Sequence, residues 1–291
     1  MSRLIAMFAA LSLTTVTVST ACDAATARGL GFTLEPSSKG EQVRATFRNL
    51  DRETNNWSSS FAPAELTGLD VARLRAPGTS PISFAIVREA GRLDCAGSGG
   101  NSMARGTCRV TPDATLLRLL EQGGIGRPTD EQSYGLIAIN VRRELIQALA
   151  DARYPTPKIN DLMGLTAVGV TKAYIDGLSR AGYRPERLDT LLQFKALDIT
   201  PEYIRGFVRL GYADLPASDL VQLKALNVTA EYIAGFERIG YRRLPASQLV
   251  QLKALGVTPE FVQAVQRSEG HLPSPSRAVQ LKAVGFSPRT R

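Results

Sequence analysis

A phrase of fourteen residues recurs in the second half of the chain at a fixed interval. It reads LLQFKALDITPEYI from Leu191, LVQLKALNVTAEYI from Leu220 and LVQLKALGVTPEFV from Leu249, so the copies follow one another with a constant 29-residue period. A strict period of this length is typical of repeat architectures, whose units stack because none can bury its apolar face alone. The sequence therefore predicts a stack of small, similar units.

Each unit contains two positions that are typical of helix N-caps, because Ser, Thr, Asn and Asp side chains accept a hydrogen bond from a free backbone N–H. The first position holds Asn160, Asp189, Ser218, Ser247 and Ser276. The second holds Thr171, Thr200, Thr229, Thr258 and Ser287. Two residues before the second position come residues that tolerate a left-handed backbone, Gly169, Asp198, Asn227, Gly256 and Gly285. Each unit is expected to be a helix, a tight turn and a second helix, in an α-solenoid of five to six helix pairs.

The region before the repeats alternates apolar and polar residues with a period of two, as half-buried strands do. The apolar positions in two of its segments are Val43, Ala45 and Phe47, then Ile82, Phe84 and Ile86. The sequence thus predicts an α+β fold, with a small antiparallel β domain over residues 28–110 and tandem 29-residue helical-hairpin repeats over residues 111–291. For Trp57 the sequence allows two interpretations: a core residue covered by a loop, or a surface residue that stacks on a ligand.

The N-terminus has the pattern of a secretory signal peptide over residues 1–27. One Arg precedes an apolar run, and small residues end in Ala25-Thr26-Ala27. We therefore expect export to the periplasm or medium, with no transmembrane segment in the mature chain. Ser19-Thr20-Ala21-Cys22 faintly resembles a lipoprotein box, so a lipid anchor at Cys22 is the alternative to its removal with the signal peptide.

Two further cysteines, Cys95 and Cys108, flank a Gly-rich segment symmetrically, as facing residues of a hairpin do. In an oxidising compartment they are predicted to form a disulfide. A metal or redox pair is the poorer interpretation, because the spacing is not C-x-x-C and no His lies nearby.

The net charge of +8 indicates an acidic partner. Two basic series follow the 29-residue period. They are Lys195, Lys224, Lys253 and Lys282, and Arg180, Arg209, Arg238 and Arg267. We call them the lysine and arginine ladders. Either they form stripes that bind an anion, or they serve their own helices, since a cation near a helix C-terminus stabilises it by about 0.3–1 kcal/mol.

Motifs for catalysis are not found in the sequence. It contains no H-E-x-x-H, no G-x-S-x-G and no phosphate-binding Gly loop, and its one His, His271, lies in a degenerate terminal copy. We therefore expect a protein that is not an enzyme and has no metal site or cofactor.

The segments IVREAGRLDCAGSGG and ARGTCRVTPDA, followed by repeated phrases such as LVQLKALGVTPEFV and by LGY, carry a family resemblance over roughly residues 80–286. This part of the chain resembles the extracytoplasmic C-terminal region of bacterial membrane metallopeptidases of the penicillin-sensing antirepressor type. The zinc motif of those peptidases is absent, so no catalytic residue carries over. The resemblance implies an extracytoplasmic module for sensing or partner binding.

Two functional hypotheses remain open at this stage. The first is an exported interaction or sensing module that binds an envelope protein or an anionic polymer. The alternative is a nucleic-acid binder, because the elbow between the two short helices faintly resembles helix–hairpin–helix modules that hold phosphates through backbone amides. A third hypothesis, a hydrolase of envelope material, is not supported by any group of catalytic residues in the sequence.

Overall fold

The computed structural model describes residues 29–37, 41–50 and 56–287 and has an α+β fold. Its N-terminal part is a six-stranded antiparallel sheet with the strand order β3-β2-β1-β6-β5-β4. The strands are β1 (Leu30–Pro36), β2 (Val43–Asn49), β3 (Asn56–Phe61), β4 (Ser80–Arg88), β5 (Gly91–Gly100) and β6 (Met103–Pro112). The predicted signal peptide and Cys22 lie outside the described residues.

One face of this sheet is apolar and buried, and the other is polar. Side chains at alternate positions, such as Phe32, Phe47 and Phe84, are at most a few per cent exposed. A five-residue helix, α1 (Val71–Arg75), contributes the buried Leu74 and contacts β4, β5 and β6. The period-two alternation along the strands is confirmed, because successive side chains of a strand point to opposite faces.

The predicted disulfide is present. Cys95 and Cys108 are direct partners in the β5–β6 register, with their Cα atoms 4.0 Å apart and their sulfurs bonded. Both cysteines are buried on the apolar face of the sheet. The hairpin interpretation of the Gly-rich segment is therefore correct, and the turn lies at Asn101 and Ser102.

Twelve short helices follow the sheet in the described part of the chain. They are α2 (Ala114–Gln122), α3 (Asp130–Ala138), α4 (Arg143–Asp151), α5 (Ile159–Ala167), α6 (Lys172–Arg180), α7 (Leu188–Ala196), α8 (Pro201–Arg209), α9 (Ala217–Ala225), α10 (Ala230–Arg238), α11 (Ala246–Ala254), α12 (Pro259–Glu269) and α13 (Pro275–Ala283). Every second helix begins one 29-residue period after its counterpart, from α2 and α3 onward. None of the helices in the described part of the chain is both long enough and apolar enough to cross a membrane.

The predicted elbow between two helices of a unit is confirmed. Residues 169, 198, 227, 256 and 285 all have positive φ, between 53° and 80°. The hydroxyls of Thr171, Thr200, Thr229 and Thr258 each accept a hydrogen bond from the backbone N–H three residues later. Ser287, the last member of this series, is the final residue of the described part of the chain.

The other predicted N-caps are wrong by two residues. The predicted residues were Asn160, Asp189, Ser218, Ser247 and Ser276. The caps are Lys158, Arg187, Pro216, Pro245 and Ser274. The extended backbone of Pro216 and Pro245 ends the connector, and the helix begins at the next residue. The polar residues thus lie inside the first turn, where Asp189 binds Arg187 and accepts the Thr190 N–H. Such residues suit both a cap and a first turn, since both offer unpaired N–H groups.

The helices pack against their counterparts two positions along the chain. Odd-numbered helices from α3 to α13 contact one another in succession, and so do even-numbered helices from α4 to α12. Small residues allow the close approach. A Cβ atom on Gly235 would lie 2.7 Å from Cγ of Pro259. One apolar core runs from the sheet through α9, because α3 lies against β4, β5 and β6.

Candidate binding surfaces

The lysine ladder lies over aromatic rings of the preceding unit. The Nζ atoms of Lys195, Lys224 and Lys253 are 4.9, 5.1 and 4.6 Å from the ring centroids of Tyr174, Tyr203 and Tyr232. The fourth lysine, Lys282, lies 4.9 Å from the ring of Phe261. A cation in this position gains about 0.5–1 kcal/mol at a partly exposed site. The ladder therefore has a structural role between units.

The same tyrosines join consecutive units through their hydroxyls. Tyr174, Tyr203 and Tyr232 donate hydrogen bonds to backbone carbonyls of the next unit, at distances of 2.7, 2.9 and 2.7 Å. Those carbonyls belong to Ile199, Val228 and Val257, which lie in the elbow of that unit. Burial raises the pKa of each of these phenols above its ordinary value. The aromatic position is thus a connection between units.

The arginine ladder is exposed at the C-terminal ends of the even-numbered helices. The Nε atoms of Arg180 and Arg238 donate to carbonyls of their own helices at 3.3 Å, which is the helix-end role weighed from the sequence. The pKa of Glu231 is lowered, first by its own backbone N–H and then by the Thr229 hydroxyl, with a smaller contribution from Arg209. Carboxylates at helix starts therefore share this surface with the arginines. An anion-binding role of the two ladders remains a prediction.

A second basic surface lies on the polar face of the sheet, and we call it the arginine face. Its members point away from the core at alternate positions of β2, β5 and β6. They are Arg44, Arg48, Arg92, Arg105 and Arg109, and all are exposed. Among the described strand residues on this face, the carboxylates are Glu35 and Asp94. Glu35 is the register partner of Arg44, and Asp94 binds Arg92 at 2.6 Å. The arginines outnumber the acids, so the face is basic.

A shallow hollow of about 710 Å³ lies within the arginine face. The exposed Ala96 and the buried Ala85 form part of its lining. Arg92 and Arg109 also line the hollow, with Asp94, the register partner of Arg109, between them. Guanidinium groups are planar forks that bind phosphate and carboxylate in a bidentate manner. The hollow thus has two anion-binding groups, Arg92 and Arg109, in its lining.

His271 is exposed, and its Nε2 atom lies 4.0 Å from a carboxylate oxygen of Glu269. Among the described residues, no group of three or more His, Cys, Asp or Glu side chains is placed to hold a metal ion.

The two ladders were predicted from the sequence, whereas the arginine face was not. The signal was present, because each of these arginines alternates with buried residues along a strand whose period was recognised. Searches against protein-family models, curated proteins and solved structures find no match to this chain.

Proposed function

We propose that this chain is an exported, non-enzymatic interaction module whose arginine face binds an anionic polymer of the cell envelope. The observation that carries the proposal is the excess of exposed arginines over carboxylates on one sheet face. The signal-peptide pattern and the Cys95–Cys108 disulfide support export, since disulfides persist in oxidising compartments.

An extended polymer fits this face better than a compact ligand does. The basic side chains are spread over β2, β6 and β5, and β2 and β6 are separated by β1. Strands lie about 4.8 Å apart, so the arginines of β2 and β6 are about 10 Å apart across the sheet. A chain of repeated phosphate or carboxylate groups would contact several of them in succession, and each contact releases counterions.

In this proposal the helices form an α-solenoid that supports the sheet and extends the surface. The 29-residue spacing of helix starts and the contacts between every second helix support the arrangement. The resemblance to the extracytoplasmic region of penicillin-sensing metallopeptidases supports a role in sensing or partner binding. The two ladders would then be scaffold elements, with the arginine face as the recognition surface.

The test is binding of fluorescently labelled heparin, as a polyanion probe, measured between about 50 and 200 mM salt. The variant Arg44→Gln/Arg105→Gln/Arg109→Gln should bind at least about tenfold more weakly and lose about three units of the salt slope. The matched control Arg180→Gln/Arg209→Gln/Arg267→Gln removes the same charge from the arginine ladder and should retain most of the affinity. The reverse pattern would assign binding to the ladder, and equal losses would indicate a net-charge effect.

Nucleic acid is tested in the same assay with duplex DNA. At the elbow, the amides of Asp198 and Ile199 already donate to Lys195 and Phe194 carbonyls, and the Tyr203 amide donates to Thr200. These amides are therefore engaged within the elbow instead of pointing to a phosphate. DNA binding tighter than heparin binding, and abolished by changes in the elbow, would favour the nucleic-acid function.

A further inference from the structure

A second cavity lies where the edge strand β3 meets the ends of α3 and α5, and we call it the seam pocket. Its volume is about 350 Å³, near the lower end of the range for small-molecule sites. Its lining comes from five separate parts of the chain. The residues used below are Trp57, Ser59, Glu65, Arg88, Asn140 and Thr166. The pocket belongs to the opposite side of the sheet from the arginine face.

Trp57, the only tryptophan of the chain, forms an aromatic wall of the seam pocket. Its ring is half-buried and stacks on Phe47, with centroids 5.3 Å apart and planes 21° apart. Phe61 meets it edge to face at 6.0 Å. These contacts hold the ring in one orientation, so it is a preformed surface.

Thr166 supplies an unsatisfied hydroxyl. Its Oγ1 atom is buried, and in the described part of the chain it is the buried side-chain oxygen or nitrogen that has no hydrogen-bond partner. Leaving such a group unpaired costs free energy, and each case calls for an explanation such as a water or a ligand. Thr166 itself lines the seam pocket, and a helical Thr has two favoured rotamers, so rotation about its Cα–Cβ bond would bring the hydroxyl to a pocket occupant.

The charges of the seam pocket compensate each other. Arg88 donates to Glu65 at 2.7 Å, and the Arg88 side chain is only 17% exposed. Burial opposes ionisation of Glu65, but bonds from the Ala62 amide and from Arg88 outweigh it and hold the pKa of Glu65 below its ordinary value. The pair is therefore ionised and neutral in sum. The other polar groups, on Ser59, Asn140 and Thr166, can both donate and accept hydrogen bonds.

We propose that the seam pocket binds a neutral saccharide ring. A sugar combines an apolar face, which suits Trp57, with hydroxyls that both donate and accept, which suit Thr166, Asn140 and the free positions of the Glu65–Arg88 pair. A charged ligand would find no net counter-charge. A purely apolar ligand would leave the Thr166 hydroxyl unpaired. The pocket volume accommodates one or two rings, so the occupant is a small saccharide or the end of a chain.

The test uses Trp57 as its own reporter, since no other tryptophan contributes to the fluorescence. The full-length exported chain is titrated with glucose, N-acetylglucosamine and cellobiose, each to about 10 mM. A saturable change of fluorescence with at least one of them is expected. Sodium sulfate and sodium acetate at the same concentrations should give no saturable change. Saturation by an anion alone, or by none of these probes, would overturn the proposal.

The variant Thr166→Val removes the hydroxyl and keeps the shape of the side chain. It should weaken saccharide binding about tenfold, because one buried hydrogen bond is lost. Its melting temperature should stay the same or rise, because the unpaired hydroxyl of the free protein is gone. The matched control Thr107→Val lies on the arginine face and should leave the saccharide affinity unchanged. Unchanged affinity in Thr166→Val would show that the hydroxyl does not contact the ligand, which contradicts the proposal.

Discussion

The hydroxyl of Tyr232 offers the sharpest test of how consecutive units are joined. It donates to the Val257 carbonyl at 2.7 Å, and the ring remains under Lys253 in the variant Tyr232→Phe. The substitution therefore removes one hydrogen bond and leaves a partly buried carbonyl without its partner. The expected loss of unfolding free energy is about 1–2 kcal/mol, toward the lower part of the range for an unsatisfied buried group.

The assay is urea unfolding with two probes. Circular dichroism follows the helices and Trp57 fluorescence follows the sheet, so coincident transitions establish the two-state behaviour that the free-energy estimate requires. The midpoint should fall without a change of slope. Tyr183→Phe is the matched control, because none of the hydrogen bonds found in the described part of the chain involves its hydroxyl, and its effect should stay within about 0.5 kcal/mol. A loss in Tyr232→Phe no larger than in this control would refute the idea that the hydroxyls join the units.

Three further predictions concern packing, the disulfide and alkaline pH. Gly235→Ala should destabilise the fold, because overpacking against Pro259 costs about 1–3 kcal/mol and the gain in helix propensity returns only about 1 kcal/mol. Pro259→Ala should relieve this overpacking. Additive changes of the unfolding free energy in the double variant would contradict the close contact. Replacing both Cys95 and Cys108 with Ser should cost about 3 kcal/mol by the chain-entropy model, and a melting temperature equal to that of the oxidised protein would argue against the bridge. Burial raises the pKa of Tyr154 to about 12 despite the opposing Arg184. The stability that the neutral Tyr154 side chain contributes is therefore complete below pH about 10 and declines as the pH rises toward 12. Tyrosinate absorbance that titrates near pH 10, with no loss of helicity, would disprove this.

The repeats show which features can be predicted from the preferences of single residues and which cannot. The left-handed turns and the Thr caps were predicted at the correct positions, because both depend on the backbone preferences of one or two residues. The same reasoning placed the other caps two residues late, because Asp189 and Ser218 suit a first turn as well as a cap. The structure also extends the period to α2, because Asp113 caps α2 in the same register in which Thr171 caps α6, two repeat periods further along the chain.

The contacts between units could not be predicted from the sequence. The lysine ladder was visible as a series, and its position near helix ends had a sufficient explanation in the helix dipole. Its aromatic partners belong to the preceding unit, and only the stacking of one unit on the next brings Lys224 over Tyr203. The structural role of the lysine ladder follows from that geometry, and its anion-binding role stays a prediction.

The sequence by itself determined the α+β composition, the 29-residue unit with its elbow, the alternation of the strands and the pairing of Cys95 with Cys108. Each of these depends on preferences within a short segment, where residue type and spacing suffice. Only the tertiary structure decided which surfaces arise. The arginine face collects side chains from β2, β5 and β6, and the seam pocket joins Trp57 on the edge strand β3 to Thr166 near the end of α5. Such sites depend on strand order and on helix packing, and these follow from burial of the whole core instead of from any one segment.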